Sequence, residues 1–291
     1  MLLVKQTENL GLRSILNSSG YRQINSMAIS FGVAPRINAC GRLGDAEEAL
    51  KLLLSTDIYE VNELTNKLNE HNRQRQEIEK SISKEAIEKI ENEKLNENRT
   101  IVVGGKNWHH GVIGIVSSKI TEKYFKPSIL LSLEENGIAK GSGRSIPGFD
   151  LHEALMKCED LLDKFGGHSM AVGLTLKQEN LSEFYKRFED FAKESKIEEI
   201  VPIINVDAKI ELSDINKKVI EDLKQLEPFG EANKMPIFAL KNVKIDSIRS
   251  LSDGKHLKLT LREKNQVISA IGFNIGNLVN EYKIGDRIDI A

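Results

Sequence analysis

The sequence predicts an α/β fold with a long helix near its start and an all-β body at its end. Residues 46–98 contain neither proline nor glycine, as a long helix requires. Strand-forming and helix-forming segments alternate over residues 100–193, and short segments of alternating apolar and polar residues fill 257–274. Strands that alternate with helices of about 10 to 15 residues predict a mainly parallel or mixed sheet with helices packed on it.

Composition limits the classes of protein to consider. The 291 residues are 40% hydrophobic and 29% charged, which excludes a disordered polymer and allows one large domain or two to three smaller ones. The formal net charge is −2, so a nucleic-acid surface must be a local patch. No apolar run of membrane length and no secretion signal is present, which predicts a cytoplasmic protein with no membrane partner. The two cysteines, Cys40 and Cys158, are interpreted as buried structural thiols.

The first hundred residues predict helices around one loop. Apolar residues at helical spacing predict a short helix over 8–19. Glycines punctuate residues 28–45, which we interpret as a loop that either contacts an anion through its arginines or is a surface turn with solvated arginines. From Ala46 to Asn98 the pattern predicts one long helix, with a break near 55–57 capped by Ser55 or Thr56, that connects two bodies. Its charges are interpreted as a solvated face: Glu77, Glu79, Lys80, Lys84, Glu85, Glu88 and Lys89.

Three glycine-rich segments of the α/β region carry the densest chemistry. They are 104–111, at a strand-to-helix junction, 141–145, on a strand, and 165–173, in a turn. Amides at a helix start favour anions, and glycine lets a phosphate approach the backbone, so we expect a polyanion pocket shared by the three at the strand ends. Taken singly, His168 is more simply a solvated turn histidine, and Trp108 a core residue rather than a base-stacking one. His110 is not expected to bind metal, because no carboxylate stands at ligand spacing.

The C-terminal region predicts about five strands, with a helix over 214–226. The strands are expected at 206–212, 236–248, 257–262, 267–274 and 286–290, and this number suits a small oligonucleotide-binding (OB) barrel. Lys255, Lys258 and Arg262 are candidates for a basic face on such a barrel. They are equally well interpreted as ordinary outward charges on a strand.

Five ordered strings between residues 34 and 240 resemble the RecJ exonucleases of the DHH phosphoesterase superfamily. They are APRINACGRLGDAEEALKLLLS, WHHGVIGIVSSKI, AKGSGRSIPGFDLHEAL, FGGHSMAVGL and LEPFGEANKMPIFAL. Cys40 stands where the family string has alanine. The resemblance implies four parts: the C-terminal remnant of a DHH domain over 1–50, a connecting helix over 51–99, a DHH-associated substrate-binding domain over 100–195, and an OB barrel over 200–291.

The resemblance also implies an activity, the 5′-to-3′ hydrolysis of single-stranded DNA in repair and recombination, with Mn or Mg held by Asp and His residues. The Asp-His-His triplet that names the superfamily is absent from this sequence, and Trp108-His109-His110 lacks its aspartate. We therefore expect the metal ligands to precede Met1, and the chain alone to hold no catalytic residue, bind no metal and be inactive. The residues carried over from the family strings are expected to bind phosphate: Arg36, Asn38, Arg42, His109, Ser142, Arg144, Gly166, Gly167 and His168.

Two alternatives remain open at this stage. The chain is either the substrate-binding part of such an exonuclease, acting on single-stranded DNA, or a non-catalytic single-strand-binding module or partner subunit. A weaker alternative draws on the related domain of alanyl-tRNA synthetase and of small-oligonucleotide phosphodiesterases, but the PRINxxGR string and the C-terminal barrel speak against it. The sequence does not indicate whether a single-strand-binding protein or a helicase is a partner.

Overall fold

The computed structural model describes residue 4 and residues 6–291, apart from the side chain of Glu198. The chain divides into two compact units, the first ending at Pro202 and the second comprising Ile203–Ala291. Among the described residues, no helix combines the length and the apolar character needed to cross a membrane. The first unit holds a group of helices and an α/β layer, and the second is mostly β.

Residues 10–54 of the first unit contain three short helices: α1 (Leu10–Ser18), α2 (Ala34–Leu43) and α3 (Ala46–Leu54). Helix α1 confirms the predicted helix. The glycine-punctuated loop predicted over 28–45 is wrong, because a π-helical turn, Ala28–Val33, runs directly into α2. Pro35 lies at the start of α2, where the π-helical turn changes to an α-helix. The segment is therefore a rigid support for its arginines.

Helix α4 (Ile58–Asn92) confirms the predicted long helix and the break before it. Its cap is Asp57, whose side chain accepts a hydrogen bond from the amide of Tyr59, rather than Ser55 or Thr56. At 1.5 Å per residue its 35 residues span about 52 Å. One end packs on the N-terminal helices and the other on the α/β layer, through two sets of buried residues: Val61, Leu64 and Leu68, then Ile82, Ala86 and Ile90.

The charged residues of α4 do not all form a solvated face, and that prediction is wrong at three positions. Glu79 is only 6% exposed and pairs with Arg75 and Lys119. Glu85 accepts a hydrogen bond of 2.8 Å from Nε1 of Trp108, and Lys89 donates one of 2.9 Å to the carbonyl of Gly104. These side chains fasten the helix to the α/β layer. Trp108 is buried, as the core interpretation predicted.

The α/β layer contains a five-stranded sheet in the order β1-β2-β3-β5-β4. The first pair is parallel and the others are antiparallel, which confirms a mixed sheet. Its elements are β1 (Ile101–Lys106), α5 (His110–Tyr124), β2 (Ser128–Leu133), β3 (Ile138–Arg144), α6 (Leu151–Met156), β4 (Leu162–His168), β5 (Ala171–Lys177) and α7 (Leu181–Glu194).

Strand β4 corrects the prediction of a helix over 151–165 and of a turn over 165–173. Helix α6 ends at Met156, and Leu162–His168 forms a hairpin with β5, turning at Ser169 and Met170. Two consecutive glycines disfavour helix, whereas the hairpin satisfies the backbone hydrogen bonds of the segment. The strand predicted fourth is therefore the fifth.

The two faces of the sheet differ in what covers them. On one face Val172, Leu174 and Leu176 of β5 lie in a core with residues of α6 and α7. On the other, α5 packs over β2 and β3 and α4 contacts β1, but β5 and β4 stay uncovered, and Gly166 and Gly173 on them are exposed. This uncovered area is called the open face below.

The second unit confirms five strands and a helix. They are β6 (Ala208–Lys209), α8 (Lys217–Lys224), β7 (Phe238–Leu251), β8 (His256–Glu263), β9 (Gln266–Gly272) and β10 (Arg287–Ile290). The sheet runs β10-β7-β8-β9, with β6 beside β7. Within 203–291, all of which the structure describes, no pairing joins β9 to β10 or β6, so the sheet is open and a closed barrel is not confirmed.

Candidate nucleic-acid interface

His109 fixes the start of α5. Its Nδ1 accepts a hydrogen bond of 3.1 Å from the amide of Gly111, so this nitrogen carries no proton and the ring N–H of the neutral side chain is at Nε2. Burial, and then the neighbouring His110, lower the pKa of His109. The ring is therefore a neutral donor beside a helix N-terminus, a place where anions are favoured.

Arg42 and Arg144 reach the same helix end from different elements. Nη1 of Arg42, on α2, donates 2.9 Å to the carbonyl of Gly111. Nη2 of Arg144, on β3, would lie 3.2 Å from a Cβ added at Gly114, and the hydroxyl of Ser142 would lie 2.9 Å from it. A side chain at Gly114 would thus displace both residues, so glycine is required for β3 to approach the helix this closely.

The positive charge of Arg42 acts on Arg144, and neither guanidinium group is compensated by a carboxylate of the described residues. Burial, and then the positive charge of Arg42, lower the pKa of Arg144. Arg144 donates to the carbonyl of Gly143 and to the hydroxyl of Ser142, at 2.7 and 3.2 Å. In the described part of the chain neither arginine forms an ion pair with a carboxylate. An anion at this point would relieve their repulsion.

The open face continues from Arg144 across β5 and β4 with almost no side chains. Ser142, Gly173 and Gly166 are register partners in one row, and Arg144, Ala171 and His168 form the next. A Cβ added at Gly166 would meet nothing within 4 Å, and one at Gly173 only a carbonyl at 3.9 Å. Because directly paired residues point to the same face, Arg144 and His168 border a bare strip of backbone.

The predicted meeting of three turns at one end of the sheet is wrong. Arg144 pairs with Ser128, where β2 begins, whereas His109 follows the end of β1. The groups are brought together instead by α5, which runs back along the sheet and sets Gly114, one turn after its start, beside Ser142 and Arg144. The candidate site therefore lies on a face of the sheet rather than at its edge.

The remaining predicted residues are placed differently. Asn38 is exposed one turn before Arg42 on the same side of α2. Arg36 donates to the side chain of Asn69 at 2.6 Å and to the carbonyls of Gly32 and Ser18, which ties the N-terminal helices together. Gly167 is a backbone position with φ of +137°, whose Cβ would collide with the carbonyl of Ala171. The contacts of Arg36 and Gly167 are structural.

The donors of this site do not fit Mn²⁺ or Mg²⁺. These hard cations take carboxylate, carbonyl and water oxygens. The described residues of the site supply guanidinium groups, an imidazole, one hydroxyl and backbone amides, which are donors suited to anions.

The second unit has a basic outer face on β7 and β8. Leu257, Leu259 and Leu261 point into its core, so Lys258 and Arg262 lie on the opposite face. Lys258 is paired with Arg249, and Arg262 with Lys244. Nε of Arg262 donates 2.5 Å to Asp246, so its charge is partly compensated. Lys255 lies in the turn before β8 and is exposed.

Some residues of these surfaces were missed by the sequence reasoning. Lys140 and Lys164 flank Thr175 in the row of the open face next to Gly166, and Lys244 and Arg249 extend the basic face of the second unit. Phe273, 70% exposed, packs edge-on against His256 at 5.4 Å between ring centroids. The four cations could not be assigned to these faces without the strand register. Phe273 belongs to no sequence pattern that indicates an exposed ring.

Comparison with known proteins agrees with this architecture. The family described as the DHHA1 domain matches residues 97–194, and the RecJ OB domain matches residues 206–291. The single-stranded-DNA-specific exonuclease RecJ of Bacillus subtilis is 37% identical over 293 residues, which cover 99% of this chain and 37% of that protein. RecJ of Escherichia coli is 30% identical over 96% of this chain and 51% of its own length.

Solved structures give the same result. The crystal structure of Thermus thermophilus RecJ in complex with Mg²⁺ superposes with a TM-score of 0.80 and 32% identity, over 95% of this chain and 42% of that one. The structure of the same protein in complex with Mn²⁺ gives 0.79 and 31%, over 92% and 39%. The chain thus spans at most about half the length of these relatives. The chain belongs to the RecJ family, and it carries that family's DHHA1 and OB domains.

Proposed function

We propose that this chain is the part of a RecJ-type 5′-to-3′ exonuclease that binds single-stranded DNA, acting in cytoplasmic DNA repair and recombination. The observation that carries the proposal is the pair Arg42 and Arg144, two guanidinium groups without a carboxylate partner among the described residues. They lie beside the open face, where Gly166 and Gly173 leave the backbone exposed. Charge-assisted hydrogen bonds from guanidinium to phosphate are short and strong. A phosphodiester backbone is negatively charged, as the two guanidinium groups require, and it can occupy the space above the glycines of the open face.

Each residue of the interface would contact the DNA in its own way. Arg42 and Arg144 hold phosphate oxygens, and Ser142 adds a hydroxyl from the same strand. His109 donates through Nε2 without adding a charge, because its pKa is lowered. Gly166 and Gly173 let the sugar-phosphate chain lie against the sheet. His168, Lys140 and Lys164 border the path on its outer side.

The second unit would also bind the single-stranded DNA, through its own surface. Arg249 and Lys258 supply cations for phosphates, and exposed Phe273 supplies a ring on which a base can stack. Proteins that bind single strands without sequence preference combine these two elements. We also propose the four-part division of the chain at residues 1–50, 51–99, 100–195 and 200–291.

For hydrolysis we propose that the chain alone is inactive. Its 291 residues lack the Asp-His-His triplet, and the donors of the interface do not fit a hard cation. The Mn²⁺ or Mg²⁺ would belong to the complete enzyme. The residues of this chain would orient the strand and stabilise its charge.

Binding to fluorescent oligonucleotides, followed by anisotropy, tests this function. The chain should bind a single strand more tightly than a duplex of the same length, and the double variant R42A/R144A should lose most of this affinity. A chain that binds neither form, or whose affinity is unchanged in the double variant, would contradict the proposal. Mn²⁺-dependent release of nucleotides by the chain alone would overturn its proposed inactivity.

A non-catalytic single-strand-binding subunit is the second candidate, and the lack of a hard-cation donor set favours it. The two functions differ when a DHH domain is supplied. Addition of the separately expressed DHH domain of Bacillus subtilis RecJ should restore Mn²⁺-dependent cleavage if this chain is the substrate-binding part of a nuclease. Binding without restored cleavage would favour the subunit.

A further inference from the structure

Three side chains that can ligate a transition metal meet away from the open face. They are Cys40 of α2, Glu48 of α3 and His71 of α4, and one ligand atom of each lies within 4.8 Å of the other two. Oε2 of Glu48 is 3.0 Å from Nε2 of His71 and 3.6 Å from Sγ of Cys40. In a tetrahedral zinc site with ordinary bond lengths, neighbouring ligand atoms are about 3.4 to 3.6 Å apart. The cluster therefore has nearly the dimensions of such a site.

The surroundings of His71 leave its ring free to ligate. Its Nε2 donates to Oε2 of Glu48, whereas its Nδ1 is buried and has no hydrogen-bond partner among the described residues, so the ring proton can move to Nδ1 when Nε2 ligates. A Cβ on Gly44 would lie 2.9 Å from Cε1 of His71, so the ring can occupy this place only because residue 44 is glycine. The side chains of Glu48 and His71 are 26% and 22% exposed, which gives an ion a path from solvent.

The electrostatics of the cluster also suit a cation. Burial, and then the charge of Glu48, raise the pKa of Cys40 to about 11, and Asp45 acts in the same direction. The charges that act on the sulfur are those of the Glu48 and Asp45 carboxylates, while a backbone hydrogen bond at Ala49 acts in the opposite direction. A metal ion that bound here would displace the thiol proton to solvent, as it does when thiols become ligands.

We propose that Cys40, Glu48 and His71 form a binding site for Zn²⁺, with water as the fourth ligand. Sulfur, nitrogen and carboxylate oxygen are the donor set of zinc, whereas Mg²⁺ and Mn²⁺ prefer oxygen alone. The described residues offer no fourth cysteine, histidine or carboxylate within the same distance. The ion would join three helices, one of which also carries Arg42, and the proposal does not depend on the function proposed above.

Titration of the metal-free, 291-residue chain with Co²⁺, a spectroscopic substitute for Zn²⁺, tests the site. One equivalent should produce a thiolate-to-cobalt charge-transfer band in the near ultraviolet, and Zn²⁺ should bleach it. Cys40 and Cys158 are the only cysteines, so the band can come from no other residue. C40A should abolish the band, and the matched control C158A, at the other buried cysteine, should keep it.

A second variant and a second measurement guard against misfolding. H71Q, which keeps a polar side chain of similar length, should weaken Zn²⁺ binding at least tenfold in competition with a chromophoric chelator. Zn²⁺ should raise the thermal midpoint of the wild type and of C158A, but not of H71Q. The proposal is overturned if the wild type shows no thiolate band with Co²⁺, or if the band survives in C40A.

Discussion

Arg144 and His168 lie in a single row of the sheet, each a register partner of Ala171 on the strand between them. Two strand spacings separate their backbones by about 10 Å. The strip between them carries only the methyl group of Ala171, and the next row carries Gly173 and Gly166. The face thus combines a cationic border with exposed backbone, and predictions about its binding follow from these two properties.

Arg144 should contribute a charge-assisted contact to phosphate. R144A is expected to weaken binding of a single-stranded oligonucleotide by about 1.5 to 3 kcal/mol. R144K keeps the charge but loses the forked geometry, so its affinity for the oligonucleotide should lie between those of the wild type and R144A. R187A is the matched control, because Arg187 on α7 already pairs with two carboxylates, Asp160 and Glu183. Anisotropy titrations at one salt concentration measure all four proteins, and equal affinity for the wild type and R144A would remove Arg144 from the interface.

The empty space above Gly166 should matter for binding and not for folding. G166V is expected to leave the thermal midpoint unchanged or raised, because its Cβ meets nothing and valine favours strands. The variant should weaken binding of the single-stranded oligonucleotide about tenfold, equivalent to about 1.4 kcal/mol. G167A gives the contrast: at φ of +137°, with Ala171 O only 2.3 Å from the added Cβ, it should destabilise the fold by about 1 to 3 kcal/mol. Calorimetry and anisotropy on both variants separate the effects, and full affinity in G166V would show that DNA does not cross the strip.

The basic face of the second unit should appear in the salt dependence of binding. Each phosphate contact to a single strand adds about 0.7 to the slope of log affinity against log salt. R249A/K258A should therefore lower the slope by about 1.4 if both residues contact phosphates. K217A/K218A, which removes two charges from exposed positions of α8, is the control for loss of charge alone. An equal change of slope in both variants would assign the effect to general electrostatics.

The elements of the fold were largely predictable, because periodicity and glycine placement are local properties. Helix α4, its break, the strands β1, β2 and β3 and the hairpin of β8 and β9 all followed from pattern. Strand β4 did not, since Leu162 and Phe165 also suit an amphipathic helix and only pairing with β5 decides between the two. The segment carrying Arg36 and Arg42 was mistaken for a loop because proline and glycine were interpreted as breaks.

The candidate site was predictable by residue type and not by arrangement. Arg42, His109, Ser142 and Arg144 come together because α5 runs back along the sheet, which is a tertiary relationship. Arg36 stands in the same string as Arg42, but it lies six positions earlier on α2, a spacing that does not place two side chains on one face of a helix. The Cys40, Glu48 and His71 cluster was not predicted, because its members are 8 and 23 residues apart and share no motif.

Glu79 should contribute far more to the free energy of unfolding than the other carboxylates of α4. Burial alone would raise its pKa, but hydrogen bonds from Lys119 and Arg75 outweigh burial and hold the pKa below the usual value. E79Q is expected to cost about 1.5 to 3 kcal/mol, because it leaves the largely buried Arg75 and the exposed Lys119 without this counter-charge. E88Q, at an exposed position of the same helix, should change stability by less than about 0.5 kcal/mol. Urea unfolding at neutral pH compares them, and equal stabilities would show that the buried pairs have no net effect.

The lowered pKa of His109 predicts a specific dependence of stability on pH. Burial, and then His110, make the folded state bind a proton at His109 less readily than the unfolded chain does, whose imidazole titrates near about 6.5. The contribution of the neutral ring is therefore complete above that pH and is lost as the pH falls through the folded-state value. Protonation would also require a hydrogen on Nδ1, where the ring now accepts the amide of Gly111.

H109N isolates this effect, because asparagine caps helices well and does not titrate. Between pH 8 and pH 5 the unfolding free energy of the wild type should fall more steeply than that of the variant, and the two should be closest at pH 8. H110N, at the exposed neighbouring position, is the matched control and should keep most of the wild-type dependence. Urea unfolding at several pH values gives these curves. A wild type and an H109N variant with parallel curves would show that His109 is not held neutral by the fold.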